Sequence, residues 1–143
     1  MKIAWAVPVM SMMLLSIIGI FIYVFACVHA LRKGKISLHD FVIMDFRKDR
    51  APWLEVTSRH LHDLFQTPVL FYVCAIIIIS NEQLLQLPYL LVLGWLFVVF
   101  KIIHSIIHLT YNDFIQRLVA FLLANAFLFT LIVMLFIEVL EIW

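Results

Sequence analysis

Charged residues are scarce in this chain. Among its 143 residues are 10 Lys and Arg and 9 Asp and Glu, so that only 13% are charged. Soluble domains carry about 25%, whereas here 66% of residues are hydrophobic and the mean hydropathy is +1.12. This balance excludes an ordinary soluble domain and favours a membrane protein. The net charge of +1, with no dense basic block, argues against a nucleic-acid partner.

Cysteine is also rare, with Cys27 and Cys74 as the two examples. Both lie within apolar segments and have no spacing typical of a metal or redox motif, so we interpret them as buried, inert thiols. The sequence has no internal repeat and no low-complexity segment.

Long apolar runs, in contrast, are abundant. Four of them cover about residues 3–30, 61–80, 84–110 and 114–140, and each is long enough to cross a bilayer core, which takes roughly 20 helical residues. The predicted fold is all-α, a four-helix transmembrane bundle in a single domain, 1–143, with a polar connection at about 31–58. The first run exceeds a signal-peptide core and is interpreted as a retained helix.

The distribution of basic residues predicts the orientation. Seven of the ten lie between the first and second runs: Arg32, Lys33, Lys35, Arg47, Lys48, Arg50 and Arg59. The positive-inside rule therefore places the first and third connections in the cytoplasm and both termini outside it.

Several polar side chains fall at one depth in the predicted bundle. At 1.5 Å per residue, Lys101 lies about 20 Å and His108 about 30 Å along a third helix that begins at Pro88. Asp63 lies about 26 Å from the outer end of the second helix. Arg117 opens the fourth helix at the same level.

These side chains form two stripes with helical spacing. A Lys or Asp at the centre of a membrane helix costs roughly 2.5–3.5 kcal/mol, so both stripes are expected to face the bundle interior or a subunit contact. A plainer interpretation also stands, in which Lys101 extends to the lipid headgroups and the other residues join helices by hydrogen bonds. The stripes are Lys101, His104, His108 and Tyr111 on the third helix, and Arg59, His62, Asp63 and Gln66 on the second.

Two stretches, RHLHDLFQTPVLFYV (59–73) and KIIHSIIHLTYNDFIQR (101–117), resemble the MAPEG family, the membrane-associated proteins of eicosanoid and glutathione metabolism. The first stretch resembles the family's bacterial branch, which implies a multi-pass protein of a bacterial inner membrane. In the family's second helix an Arg is followed by Asn, Glu and then Pro. Arg59 and Pro68 match this pattern, while Asp63 and Gln66 occupy the Asn and Glu positions.

The resemblance continues into the third and fourth helices. His104 and Arg117 match the family pattern, whereas Lys101 replaces an Arg and His108 a Tyr. Arg32 corresponds loosely to a basic residue at the end of the family's first helix.

The resemblance implies a homotrimer with a site at each subunit interface. There glutathione, as co-substrate, would react with a lipophilic small molecule in a transferase or peroxidase reaction. Arg117 and His108 would be catalytic, since a nearby cation favours a thiolate. The binding residues for glutathione or another anionic ligand would be Arg32, Arg59, Asp63, Gln66, Lys101 and His104.

Two alternatives remain at this stage. One is a non-catalytic protein of the same fold that binds a membrane lipid or a protein partner in the same groove. The other is a metal site built on His104 and His108 at i, i+4, with His62 and Asp63 at a similar depth. The adjacent Lys101 would repel a cation, so no metal ligand is assigned.

Overall fold

The computed structural model describes residues 2–37 and 52–142, and this part of the chain contains helices and no strands. The elements are α1 (Lys2–Arg32), α2 (Pro52–Ser80), α3 (Glu82–Leu85), α4 (Pro88–Leu109) and α5 (Phe114–Ile142). Four of them, all but α3, are long and apolar enough to cross a membrane. The prediction of an all-α four-helix transmembrane bundle is confirmed.

α2 begins nine residues before the predicted apolar run. Its first residue is Pro52 rather than residue 61, and proline suits the first turn of a helix because its missing N–H has no partner there anyway. Hydropathy detects the apolar part of a helix and does not detect a polar first turn. The predicted connection at 31–58 therefore overlaps α2, and its residues 38–51, with Arg47, Lys48 and Arg50, lie outside the described residues. The predicted orientation stays a prediction.

The four long helices form two hairpins. α1 packs mainly on α2, and α4 mainly on α5, while α2 and α5 make a thinner contact. The link between the hairpins is the short α3, where the Asn81 side-chain oxygen accepts hydrogen bonds from the N–H groups of Gln83 and Leu84. This cap satisfies N–H groups that lack a partner inside the helix.

A glycine allows α1 to approach α4 closely. A Cβ on Gly94 would lie 3.0 Å from Cζ3 of Trp5, and the Trp5 side chain is completely buried. Beside it, the rings of Phe71 and Phe97 pack with centroids 5.0 Å apart. Helices in lipid associate through such close packing around small residues.

The turn between α4 and α5 determines where the fourth long helix starts. Asn112 adopts a positive φ of 50°, a conformation that Asn tolerates better than most residues. Its N–H donates to the carbonyl of Ile107, and Asp113 accepts a hydrogen bond from the N–H of Gln116. As a result the first turn of α5, with Arg117, folds back beside the last turns of α4.

Candidate functional site

A cleft of about 530 Å³ lies where α2, α4 and the start of α5 meet. Polar side chains from α2 and α4 form one wall, and mainly apolar side chains from α5 form the other. The lining residues are Ser58, Arg59, His62, Asp63, His104, His108, Phe114, Arg117, Leu118 and Phe121. A polar wall facing an apolar wall is suited to a ligand that has both kinds of surface.

The cleft brings together five of the eight predicted site residues. They come from three different helices: Arg59 and Asp63 from α2, His104 and His108 from α4, and Arg117 from α5. The matched depth inferred from the sequence thus corresponds to one shared cavity in the structure.

The other three predicted residues do not line this cleft. Lys101 lies inside the bundle with 1% of its surface exposed. The amide nitrogen of Gln66 lies 2.6 Å from Nε2 of His62, one turn earlier on the same helix. Arg32 is the last residue of α1 and is not among the residues that line the cleft.

Both arginines of the cleft have partners on their own chain. The guanidinium of Arg59 pairs with the carboxylate of Glu55, four residues earlier. That of Arg117 donates to Oδ1 of Asn112 over 2.6 Å. The Arg59 side chain is 60% exposed, and such pairs stabilise a protein by little and exchange readily. The guanidinium groups are thus held at the cleft, but not yet directed at a ligand.

One hydrogen bond places a proton on the Nδ1 atom of His104. Its Nδ1 lies 3.1 Å from the backbone oxygen of Arg117, and since a carbonyl can only accept, Nδ1 must carry the proton. Nε2 then faces Oδ2 of Asp63 at 3.7 Å, which is longer than the usual range of a hydrogen bond. The Nε2 atom is buried and has no hydrogen-bond partner within the described part of the chain.

A third histidine, His60, lies beside His104 and His108 and was not predicted as a site residue from the sequence. His60 is 1% exposed, and its ring centroid lies 5.3 Å from that of His108 and 6.4 Å from that of His104. Neither of its ring nitrogens has a hydrogen-bond partner among the described residues. It shares the buried face of α2 with Leu64, four residues later. The only signal in the sequence was a histidine at a core position.

Metal binding receives no support from this arrangement. Among residues 2–37 and 52–142, no group of three or more His, Cys, Asp or Glu side chains is placed to hold a metal ion. His62, one of the ligands considered in the metal interpretation, instead contacts Gln66.

A second cleft, which is apolar, lies further along α2 and α5. Its volume is about 270 Å³, and its walls come from α2 and α5 alone. The lining residues are Leu70, Val73, Cys74, Ile77, Ile132, Leu135 and Phe136. The seam between the two hairpins is therefore polar at one end and apolar further in.

Comparison with protein families gives one match. The model of the MAPEG family matches residues 9–137, which include α2 and α4 completely, most of α1 and α5, and the whole cleft. Comparisons with curated proteins and with solved structures gave no match.

Proposed function

Because the chain belongs to the MAPEG family, we propose that it is a glutathione-dependent transferase or peroxidase that acts on lipophilic substrates within the membrane. The observation that supports this function best is the cleft itself, where Arg59, Asp63, His104, His108 and Arg117 face an apolar wall. A water-soluble anionic thiol and a lipid-soluble electrophile can meet in such a site.

The two arginines would hold the carboxylates of glutathione. A guanidinium binds a carboxylate through two parallel hydrogen bonds, and this charge-assisted pairing is stronger than a bond to a neutral amide. A carboxylate would therefore displace the Asn112 amide from Arg117. Asp63 offers an acceptor for the glutathione ammonium, a task that neutral Gln66 fulfils less well.

The apolar wall would receive the second substrate. Phe114 and Leu118 line the cleft and are also exposed on the surface, by 65% and 42%. A lipophilic molecule dissolved in the bilayer would contact these side chains before it enters. Substrate supply through the lipid keeps the hydrophobic partner out of water, where its concentration is low.

Assembly as a homotrimer would complete the site. Arg32 does not line the cleft of its own chain, so its assigned role in binding glutathione requires a neighbouring copy to bring it there. The exposed apolar surface of α1, which includes Phe21 and Phe25, is available for lipid or for such a copy.

In the proposed reaction Arg117 and His108 stabilise the thiolate of glutathione. In the transferase reaction the sulfur attacks an electrophilic carbon, and the bond from that carbon to its leaving group breaks. In the peroxidase reaction the sulfur attacks the terminal oxygen of a lipid hydroperoxide, the O–O bond breaks to release the lipid alcohol, and a second glutathione converts the sulfenic acid so formed to glutathione disulfide and water. Close placement of thiolate and electrophile supplies much of the rate enhancement, because it converts a bimolecular step into an effectively unimolecular one.

The decisive experiment is a calorimetric titration of the detergent-purified protein with glutathione, followed by conjugation of a reactive aryl halide. Arg117→Ala should suppress both binding and turnover, and His104→Ala should suppress turnover. The control His29→Ala changes a histidine outside the cleft and should retain both. If millimolar glutathione produces no binding heat, the proposal is wrong.

A second candidate function is lipid binding without catalysis. The apolar cleft beside Leu70 and Phe136 favours it, because this space accepts an acyl chain and nothing polar. The test is mass spectrometry of the purified protein, where a retained lipid together with no turnover of glutathione would support this candidate over the first.

A further inference from the structure

We propose that His104 is the general base that takes the proton from the thiol bound in the cleft, and that Asp63 stabilises the imidazolium so formed. This inference rests on the proposed function, which supplies the thiol. It differs from the assignment made on the resemblance, which placed His104 and Asp63 among the groups that only bind the ligand.

The imidazole of His104 is held in one orientation. Its Nδ1–H donates to the carbonyl of Arg117 over 3.1 Å, so the ring is held between α4 and the first turn of α5. A histidine oriented in this way through one nitrogen presents the other as an unprotonated base. In His104 that base is Nε2.

The Nε2 atom of His104 lies next to the carboxylate of Asp63. In the neutral ring with its proton on Nδ1, both Nε2 and Oδ2 are acceptors, and they face each other at 3.7 Å. Neither can donate to the other, so no hydrogen bond joins them in this state. One additional proton on Nε2 converts the repulsion of two lone pairs into an imidazolium–carboxylate attraction. The arrangement is thus built to accept a proton.

The surroundings of His104 Nε2 are poorly solvated. Nε2 is shielded from solvent and has no hydrogen-bond partner among the described residues, while the ring of Phe121 lies 5.7 Å from that of His104, centroid to centroid. Electrostatic interactions are stronger in such a poorly solvated environment than in water.

The proposed step balances without a further reactant. The S–H bond of the thiol breaks, the proton moves to Nε2, and the electron pair stays on sulfur as the thiolate. The thiolate then forms a bond to an electrophilic carbon, while the bond from that carbon to its leaving group, or to the ring oxygen of an epoxide, breaks. The released anion takes the proton back from the imidazolium. His104 returns to the neutral form with its proton on Nδ1.

The experiment measures binding and deprotonation separately. Glutathione binding is followed by calorimetry, and thiolate formation by its ultraviolet difference absorbance. For His104→Gln we expect affinity within about threefold of wild type, but loss of the thiolate signal and a fall in turnover on the order of 100-fold, the usual scale for general-base catalysis. For Asp63→Asn we expect a weaker thiolate signal. The control His29→Gln should match wild type in all three measurements.

A second probe separates this inference from the proposed function. Hexanethiol carries neither a peptide nor a carboxylate, so its deprotonation tests the base alone. If glutathione fails to bind but hexanethiol gives a thiolate signal that His104→Gln abolishes, only the glutathione function is overturned. If His104→Gln forms as much thiolate as wild type with either thiol, or if wild type forms none, the inference is overturned. Gel filtration and thermal unfolding confirm that each variant is folded.

Discussion

The ammonium nitrogen of Lys101 lies 5.1 Å from the ring centroid of Phe121. The ring of Phe97 is 6.0 Å away on the preceding turn of the same helix, and no hydrogen-bond acceptor reaches this nitrogen within the described residues. Attraction to an aromatic face offsets only part of the free-energy cost of removing an ammonium from water. Lys101 therefore lies at a site that is unfavourable for a lysine.

Replacement of this lysine should stabilise the protein. Lys101→Met retains most of the side-chain volume and removes the buried charge. Replacement of buried ion pairs by apolar residues in other proteins is often neutral or stabilising by about 1–4 kcal/mol. Thermal unfolding in detergent should show a higher midpoint. Lys2→Met, at the exposed start of α1, should leave the midpoint unchanged. A lower midpoint for Lys101→Met would indicate that the ammonium has a stabilising partner in the assembled protein.

Release of Arg117 from its neighbour should strengthen ligand binding. Asn112→Gly removes the amide that accepts from the guanidinium and suits the positive φ of this position, so the turn should keep its shape. The guanidinium then needs no exchange of partners before it binds a carboxylate, and we expect glutathione to bind a few-fold more tightly by calorimetry. Arg117→Gln provides the opposite test, since it should weaken binding. Equal affinities for all three proteins would contradict a carboxylate-binding role for Arg117.

A larger side chain at Gly94 should separate α1 from α4. Even a Cβ would press on the buried Trp5 ring at 3.0 Å, and overpacking of this kind costs typically 1–3 kcal/mol. Gly94→Leu should therefore lower the free energy of unfolding, measured by thermal or denaturant unfolding in detergent. Ala126→Leu places the same side chain on an exposed position of α5 and should change stability little. Equal stability of the two variants would mean that the approach of α1 to α4 does not depend on the glycine.

A hydrogen bond between Tyr89 and Glu138 joins α4 to α5 at the end of the bundle opposite the cleft. Tyr89→Phe removes the phenol hydroxyl and leaves the ring, so it should cost about 0.6 kcal/mol, the average for hydrogen bonds between membrane helices measured by double-mutant cycles. A double-mutant cycle with Glu138→Leu, which removes the acceptor, isolates the pairwise term. Glutathione binding should be unaffected, because the contact is remote from the cleft. Additive effects of the two substitutions would show that the bond contributes nothing.

The start of α2 illustrates what hydropathy can and cannot predict. The apolar run from residue 61 to 80 was sufficient to predict a membrane helix, and that prediction is confirmed. The preceding residues include Glu55 and Arg59, which lower the local hydropathy but pair with each other at i, i+4 along a helix. Helix formation depends on the backbone and on such pairs, whereas hydropathy reports the solvent around the chain.

The cleft could be predicted from the sequence only in part. Helical spacing and equal depth were enough to group Asp63, His104 and Arg117, because both follow from the regular geometry of a helix. Spacing and depth could not show that Lys101 and His104 have different surroundings. Lys101 faces two phenyl rings, whereas His104 faces a carboxylate. That difference depends on the rotation of α4 against α5, which is fixed by side-chain packing between the helices. The packing of α2 against α4 brings His60 against His108.

The short α3 connects two helical hairpins that each bury most of their own contacts. A ribosome delivers these hairpins to the membrane one after the other, and each can insert before its counterpart exists. The bundle should consequently tolerate a break in the backbone at the α3 link, with α1–α2 and α4–α5 produced as separate polypeptides that reassemble in the bilayer. Neither half alone would have the cleft, because its walls come from α2 in one half and from α4 and α5 in the other. Ligand binding would therefore show that the two halves have reassembled.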